Sequence, residues 1–399
     1  MWKVGGSENL ILPSDLKCLF TTPIPKLTQA DEYGIKTQLE KVFNSIAYSE
    51  AGVIEKIIYF PLYLLSILYG AAVRFRVALY SSGLFKVREI GCKVISVGNI
   101  TVGGTGKTPT VEFIARHLDE RGIKVAILSR GYRRKGKGIG IVSDGKQLLL
   151  GPEEAGDEPY MLAKRLRTIP VLVGADRYEL GKYALEMFPL DVIILDDGFQ
   201  HIRLKRDLDI LLVDGEKGFG NGHPLPRGPL REPLSAMKRA DIFLLTKSSS
   251  DTGRIAGSIM DKLPETPLFK SSYRPETLVS LRDGAKKGLD RLSGARVMAL
   301  SAIANPSSFI TLLSSLGCTL VSEVSFPDHH SYVAEDIDEI EEKGMGAGAE
   351  FIVTTEKDAV KLEQFRDKIG TPVYYLAIDL DMHGEEKMFI DAVFSGIQG

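Results

Sequence analysis

The stretch "VGNITVGGTGKTPT", Val97 to Thr110, joins an apolar run, "CKVISV", to an amphipathic one, "VEFIARHL". Glycines closing on Gly-Lys-Thr between a strand and a helix read as a loop that wraps phosphate. Small residues let backbone N–H groups turn toward phosphate oxygens at a helix N-terminus. The strict pattern G-x-x-x-x-G-K-[ST] is not met, because Thr101 stands where its first glycine belongs. What remains is a cradle of Thr101, Val102, Gly103, Gly104, Thr105, Gly106, Lys107 and Thr108. In it Lys107 bridges the β and γ phosphates and the Thr108 hydroxyl ligates Mg2+. Pro109 suits the first helical turn, where no N–H partner is required. The plain alternative is a glycine-rich βα turn without a ligand. The related "KGGxGKT" loop needs a lysine at Val102, and neither "LTKSSS" nor "TTEKDA" supplies the N-K-x-D of a GTPase. ATP is the expected nucleotide.

Outward from this loop, apolar runs alternate with amphipathic ones: "KVAILSRGY", "IPVLVG", "DVIILDDG", "LDILLVDG" and "ADIFLLTK". Continuous β-branched and leucine runs are what strands buried on both faces require. The expected fold is α/β: a P-loop NTPase-like, mostly parallel sheet with helices on both faces over residues 93–267. A polar connector over 268–293 is expected to lead to a smaller α/β domain, 294–399, with an acidic helix "AEDIDEIEEKG" as a solvated face. Residues 1–47 read as a loosely ordered extension without a role, whose deletion is expected to leave activity nearly unchanged.

Residues 48–92 hold an uncharged run, "IIYFPLYLLSILYGAAV", Ile57 to Val73, between Lys56 and a basic flank of Arg74, Arg76, Lys86 and Arg88. As a helix it measures roughly 25 Å, short of a hydrocarbon core of roughly 30 Å. With Pro61 against a straight span, a helix lying in one leaflet with its cations at the headgroups is favoured over a buried core helix.

The balance of charge, −2 over 399 residues, gives no push toward nucleic acid. Cys18, Cys92 and Cys318 show no metal-ligand spacing and read as reduced thiols. No secretory signal is evident in "MWKVGGSENL".

Acidic residues at strand ends supply the rest of the chemistry. "DVIILDDGFQH" ends in Asp196 and Asp197, adjacent carboxylates that repel unless a cation sits beside them; one of the pair is also compatible with capping a turn. Asp157 in "EEAGDEPY" reads equally as a helix N-cap or as a functional carboxylate. "FPDHHSY" offers Asp328, His329 and His330, structural or catalytic. "SRGYRRKGKG" is a basic loop suited to an anionic substrate or headgroups, and "LPRGPLREP" holds Arg227, Arg231 and Glu232 among stiffening prolines; each is also compatible with a solvated surface turn.

In order along the chain, "VGNITVGGTGKTP", "SRGY", "AGDEP", "VGADRY", "DDGFQH", "FGNGHPLPRGPLREP", "FPDHHSY" and "TTEKDAVK" resemble the lipid A 4′-kinase family, tetraacyldisaccharide 4′-kinase, over about residues 48 to 380. The resemblance implies transfer of the γ-phosphoryl of ATP, with Mg2+, to the 4′-hydroxyl of an acylated glucosamine disaccharide 1-phosphate, giving lipid IVA. It implies work at the cytoplasmic face of the inner membrane, on its lipid surface, with no obligate protein partner. By matching motif, Lys107 and Thr108 bind the ATP phosphates and Mg2+, and Asp196, Asp197 and Glu232 serve the metal. Asp157 is the candidate base, paired with His329, and domain closure is expected to assemble that pair. Arg130, Tyr132, Arg177 and Arg231 become substrate or phosphate contacts, and His201 an active-site residue. Lys357, Asp358 and Lys361 of "TEKDAVK" are expected to be second-domain architecture that helps shape the cleft. Two other readings compete: a P-loop enzyme with a soluble substrate, which has no use for the apolar helix, and a non-enzymatic nucleotide switch.

Overall fold

Fourteen strands form two sheets in the computed structural model, which describes residues 42–48, 59–248 and 253–398. The extension before residue 42, Cys18 within it, and Ile57 and Ile58 of the apolar run lie outside the described residues.

The first sheet contains β1 (Lys93–Gly98), β2 (Val125–Ser129), β3 (Gly140–Asp144), β4 (Pro170–Val173), β5 (Val192–Asp196), β6 (Leu208–Asp214), β7 (Ile242–Thr246) and β8 (Leu268–Lys270). Their spatial order is β3-β4-β2-β5-β1-β6-β7-β8, parallel throughout except for β3 against β4. Val94 pairs with Ile193 and Val97 with Asp196, so the phosphate-loop strand is central, and β1, β2, β5, β6 and β7 are buried almost end to end. Parallel strands end at one edge of the sheet, where loops collect to form sites. The helices α2 (Lys107–Glu120), α3 (Asp157–Arg165) and α4 (Arg177–Met187) all start from that edge.

The second sheet is built from β9 (Ser272–Ser280), β10 (Lys286–Lys287), β11 (Arg296–Ser301), β12 (Thr319–Ser325), β13 (Phe351–Thr355) and β14 (Val373–Asp381), ordered β10-β9-β14-β13-β11-β12. Helices α6 (Pro306–Ser315), α7 (Ala334–Gly346) and α8 (Glu356–Leu362) accompany it, and α5 (Gly253–Met260) belongs to the first sheet.

Two boundaries differ from expectation. Residues 268–293 are not a bare connector: they give β8 to one sheet and β9 and β10 to the other, with β9 antiparallel to β14 from Tyr374↔Ser280 to Asp381↔Ser272. Charged residues and Pro275 hid a strand that its pairing with β14 and β10 completes. The last helix, α9 (Glu386–Gln398), expected with the second domain, buries Phe389, Ile390, Val393 and Ile397 in the core of the first sheet.

The apolar run continues as α1 (Phe60–Ser81), 22 residues and so about 33 Å long. Its length and composition suffice to cross a membrane, which removes the expected shortfall in length. Pro61 sits in the first turn, where it breaks no hydrogen bond, so it is no obstacle either. One stripe of α1 docks on the proline-rich loop: Ser66 donates to the Pro224 carbonyl at 2.8 Å, and Tyr69 to that of Arg231 at 2.9 Å. Gly70 lies against Pro224 and Pro233, and Arg76 donates to the Gln200 carbonyl. The opposite side leaves Leu64, Leu65, Ile67, Leu68 and Phe75 exposed.

The extension is not wholly idle. The carbonyl of Ile46 accepts from Arg227 and Asn221, and that of Ala47 accepts from the Asn221 N–H, so its last residues brace the proline-rich loop.

Candidate active site

The phosphate loop leaves β1 through Asn99, which is fully buried and holds the Thr101 carbonyl through its Nδ2. The proline-rich loop then pairs with it: Val102 donates to the Pro229 carbonyl and Arg231 to that of Ile100. That bond corrects the expected cradle, because the Val102 N–H is already committed, and Thr101 is buried in a bridge to Leu230. From Gly103 to Lys107, five successive N–H groups have no acceptor among the described residues. Gly106 adopts φ 81°, and a side chain there would strike the Tyr273 hydroxyl beneath the loop. Burial pushes the Tyr273 phenol well above its ordinary range, so the floor of the loop is neutral.

Lys107 reaches Asp197 Oδ1 at 3.7 Å and Asn99 Oδ1 at 3.5 Å. Asp197, at φ 57°, also accepts from Arg231 at 2.9 and 3.0 Å. Although burial works to raise it, Lys107 and Arg231 hold the Asp197 carboxyl below the usual range. Its neighbour behaves oppositely. Burial first, then Glu158 and Asp197, push Asp196 up to about 6. Asp196 Oδ2 accepts from Ser129 at 2.9 Å, while its buried Oδ1 has no partner among the described residues. An orphaned carboxylate oxygen beside a second carboxylate and the Lys107 loop suits a hard cation such as Mg2+, which needs few protein ligands and keeps waters and phosphate oxygens for the rest. Glu232 fits this set poorly: both its oxygens pair with Arg239, at 2.9 and 3.0 Å, and that guanidinium stacks on Phe199. No group of three metal-ligating side chains is assembled among the described residues.

Asp157 opens α3 directly after Gly156, and its side chain makes no capping bond. Its Oδ2 instead lies 3.2 Å from His329 Nδ1. His329 Nε2 lies 3.2 Å from Lys357 Nζ, which also holds Asp328 Oδ1 at 2.8 Å. An ammonium only donates, so Nε2 accepts and the Nδ1–H is left to donate to Asp157. His329 sits at φ 64°, a strained conformation typical of functional sites. The pair expected to form on closure is thus already formed. His330 turns away, bonding Asp336 and stacking on Phe326, and is structural.

Beside this pair the basic loop lines a cavity of about 580 Å3, with Arg130, Tyr132, Arg133, Arg134 and Lys137 on its wall. The Tyr132 ring stands edge-on to His329, and Arg133 donates to the Asp328 carbonyl. Arg177, expected at a ligand, is buried and spends its guanidinium on the carbonyls of Gly174 and Ala175, with a long contact to that of Asp196. It braces the carboxylate turn instead. Burial, then Arg177, push His201 down to about 4, so it is a neutral ring whose Nε2 finds no partner among the described residues. Burial pushes the Cys92 thiol up to about 12, which disfavours the thiolate that a nucleophile needs.

Sequence reasoning missed Asn99, Ser129, Arg239 and Gln200, whose Nε2 holds the Asn99 carbonyl at 2.8 Å. Asn99 and Ser129 carry a signal as polar residues at the ends of apolar strand runs, Gln200 only as part of "DDGFQH", and Arg239 none.

The family model described as tetraacyldisaccharide-1-P 4′-kinase matches residues 58–396. A tetraacyldisaccharide 4′-kinase from Syntrophus aciditrophicus is 44% identical over 326 residues, covering 79% of this chain and 87% of that protein. One from Desulfatibacillum aliphaticivorans is 41% identical over 348 residues, covering 84% and 92%. Among solved structures, LpxK from Aquifex aeolicus in complex with ATP aligns with a TM-score of 0.68 and 34% identity, over 86% of this chain and 99% of that one.

Proposed function

The chain belongs to the tetraacyldisaccharide-1-P 4′-kinase family, and from that premise we propose that Asp157 is the base that takes the proton of the acceptor's 4′-hydroxyl. The reaction itself is that of a lipid A 4′-kinase: the γ-phosphoryl of ATP passes to tetraacyldisaccharide 1-phosphate. The observation that carries the assignment is the Asp157–His329–Lys357 chain of contacts at the sheet edge that also bears Lys107.

The free N–H groups of Gly103 to Lys107 hold the triphosphate, and Lys107 neutralises the γ-phosphoryl as charge spreads over its oxygens. Asp196, Asp197 and the Thr108 hydroxyl would hold Mg2+, which supplies further neutralisation of the β and γ phosphates. The 4′-oxygen forms its bond to the γ phosphorus as the bond to the β–γ bridging oxygen breaks. The hydroxyl proton passes to the free oxygen of Asp157, and ADP leaves. A sugar alcohol needs little prior deprotonation in a dissociative transition state, so a carboxylate suffices as base. His329 orients it rather than receiving the proton, because both ring nitrogens are engaged.

Arg130 and Tyr132 in the cavity beside Asp157 suit the acceptor's anionic 1-phosphate end, and the exposed apolar side of α1 suits the leaflet holding its acyl chains. The protein then works at the cytoplasmic face of the inner membrane. The test is Asp157→Ala in mixed micelles with ATP and the defined acceptor: most turnover is lost while ATP affinity holds. A large fall in nucleotide affinity would instead make Asp157 part of the nucleotide and metal site.

A further inference from the structure

The end of β7 has no part in the roles above, and its "LTKS" lacks the asparagine and aspartate that read a guanine base. Yet two successive side chains there reach the phosphate loop. Thr246, fully buried, donates from Oγ1 to the Thr105 carbonyl at 2.9 Å. Lys247 donates from Nζ to the Gly104 carbonyl at 3.1 Å, and Asp214 Oδ2 holds the same ammonium at 2.7 Å. Asp214 is itself fixed, its Oδ1 accepting the N–H groups of Glu216 and Lys217. Lys247 lies at φ 51°, left-handed backbone that a residue with a Cβ enters only against local sterics.

We propose that Thr246 and Lys247, with Asp214 behind Lys247, are positioning residues for the ATP triphosphate: by tethering two loop carbonyls they aim the next two N–H groups at its oxygens. In a trans peptide the carbonyl of one residue and the N–H of the next point to opposite sides. Tying the Gly104 and Thr105 carbonyls to β7 therefore turns the N–H groups of Thr105 and Gly106 away from β7, toward the hollow of the loop. A loop with glycine at 103, 104 and 106 otherwise has wide freedom to rotate these peptides. A flipped peptide presents a carbonyl oxygen to phosphate, which repels it. The tether removes those conformers before ATP arrives, so its effect falls on nucleotide binding rather than on the acceptor. This inference rests on the reading of Gly103 to Thr108 as the ATP cradle.

The experiment measures binding of a fluorescent ATP analogue with Mg2+ to the full-length chain in detergent, together with KM for ATP and for the acceptor. Thr246→Val and Lys247→Met are each expected to raise the analogue's Kd and the KM for ATP about tenfold, the scale of one lost hydrogen bond to a structured site. The acceptor KM should not move, and Thr246→Ser, which keeps the hydroxyl, should restore affinity. Lys107→Ala separates the two claims. Lost binding there with parental affinity in Thr246→Val and Lys247→Met overturns the tether alone; parental affinity in all three overturns the cradle as well. If Thr246→Val melts well below the parent, Lys247→Met combined with Asp214→Asn decides, since the ion pair is then removed whole and no buried carboxylate is left without its cation.

Discussion

Asp157 stands between a glycine and Glu158-Pro159, a setting that exposes its carboxylate at a helix start without using it as a cap. Replacing it with Asn keeps the shape and removes the basicity, so kcat should fall by ~10²–10⁴ with nucleotide affinity unchanged, read by steady-state transfer and analogue binding. Lys357 acts one step back, through His329. Lys357→Met is expected to lower kcat about tenfold without changing either KM, and an unchanged kcat would remove it from the site. His201 carries a pH signature. Its folded pKa of about 4 lies below the ordinary 6.5, so the unfolded chain takes a proton that the folded one refuses. Stability from this group is therefore present above about pH 6.5 and lost as pH falls toward 4; His201→Asn should flatten that decline in Tm. Asp157, His329, Lys107 and Asp197 could be singled out from short motifs beside a glycine or after a strand, and the structure brings Asp157 to His329 and Lys107 to Asp197. Arg177 and Glu232 were misread because their partners, the carbonyls of Gly174 and Asp196 and the guanidinium of Arg239, are chosen by packing that spacing does not encode.

Among the elements, β1, β2, β4, β5, β6 and β7 announce themselves as apolar runs, since a strand covered on both faces has no polar side to show. Edge and pairing strands do not. Gly140–Asp144 and Ser272–Ser280 mix polar and apolar residues, and their antiparallel partners, β4 for the first and β14 with β10 for the second, make them strands. Helix α1 was visible from hydropathy, but its docking stripe was not, because Ser66, Tyr69 and Gly70 look like ordinary interruptions until Pro224, Arg231 and Pro233 meet them. Leu68→Glu with Phe75→Glu alters only the open side. This double variant should lose flotation with anionic vesicles while keeping its Tm and its ATP affinity; unchanged flotation would place membrane contact elsewhere.

At the scale of the molecule, Arg165 at the end of α3 ties the two sheets together. It donates to Glu112 on α2 at 2.7 Å, to Glu356 on α8 at 2.7 Å and to the Ile378 carbonyl of β14 at 3.1 Å. The neighbouring Lys164 pairs with Glu363. Removing the cation leaves two largely buried carboxylates facing each other, so Arg165→Met should cost about 3 kcal/mol of stability by denaturant unfolding. It should also slow transfer, because α3 carries Asp157 and α8 carries Lys357, and this bridge sets their distance. The central claim is that the loop at Lys107 and the carboxylate at Asp157 act on the two ends of one phosphoryl transfer. The most direct measurement is single-turnover transfer of γ-labelled phosphate from saturating ATP to the defined tetraacyldisaccharide 1-phosphate, by the parent and by Asp157→Asn. Label should enter the lipid with the parent and do so at least ~100-fold more slowly with the variant. Transfer at the parental rate by Asp157→Asn, or label that never leaves the aqueous phase with the parent, would contradict it.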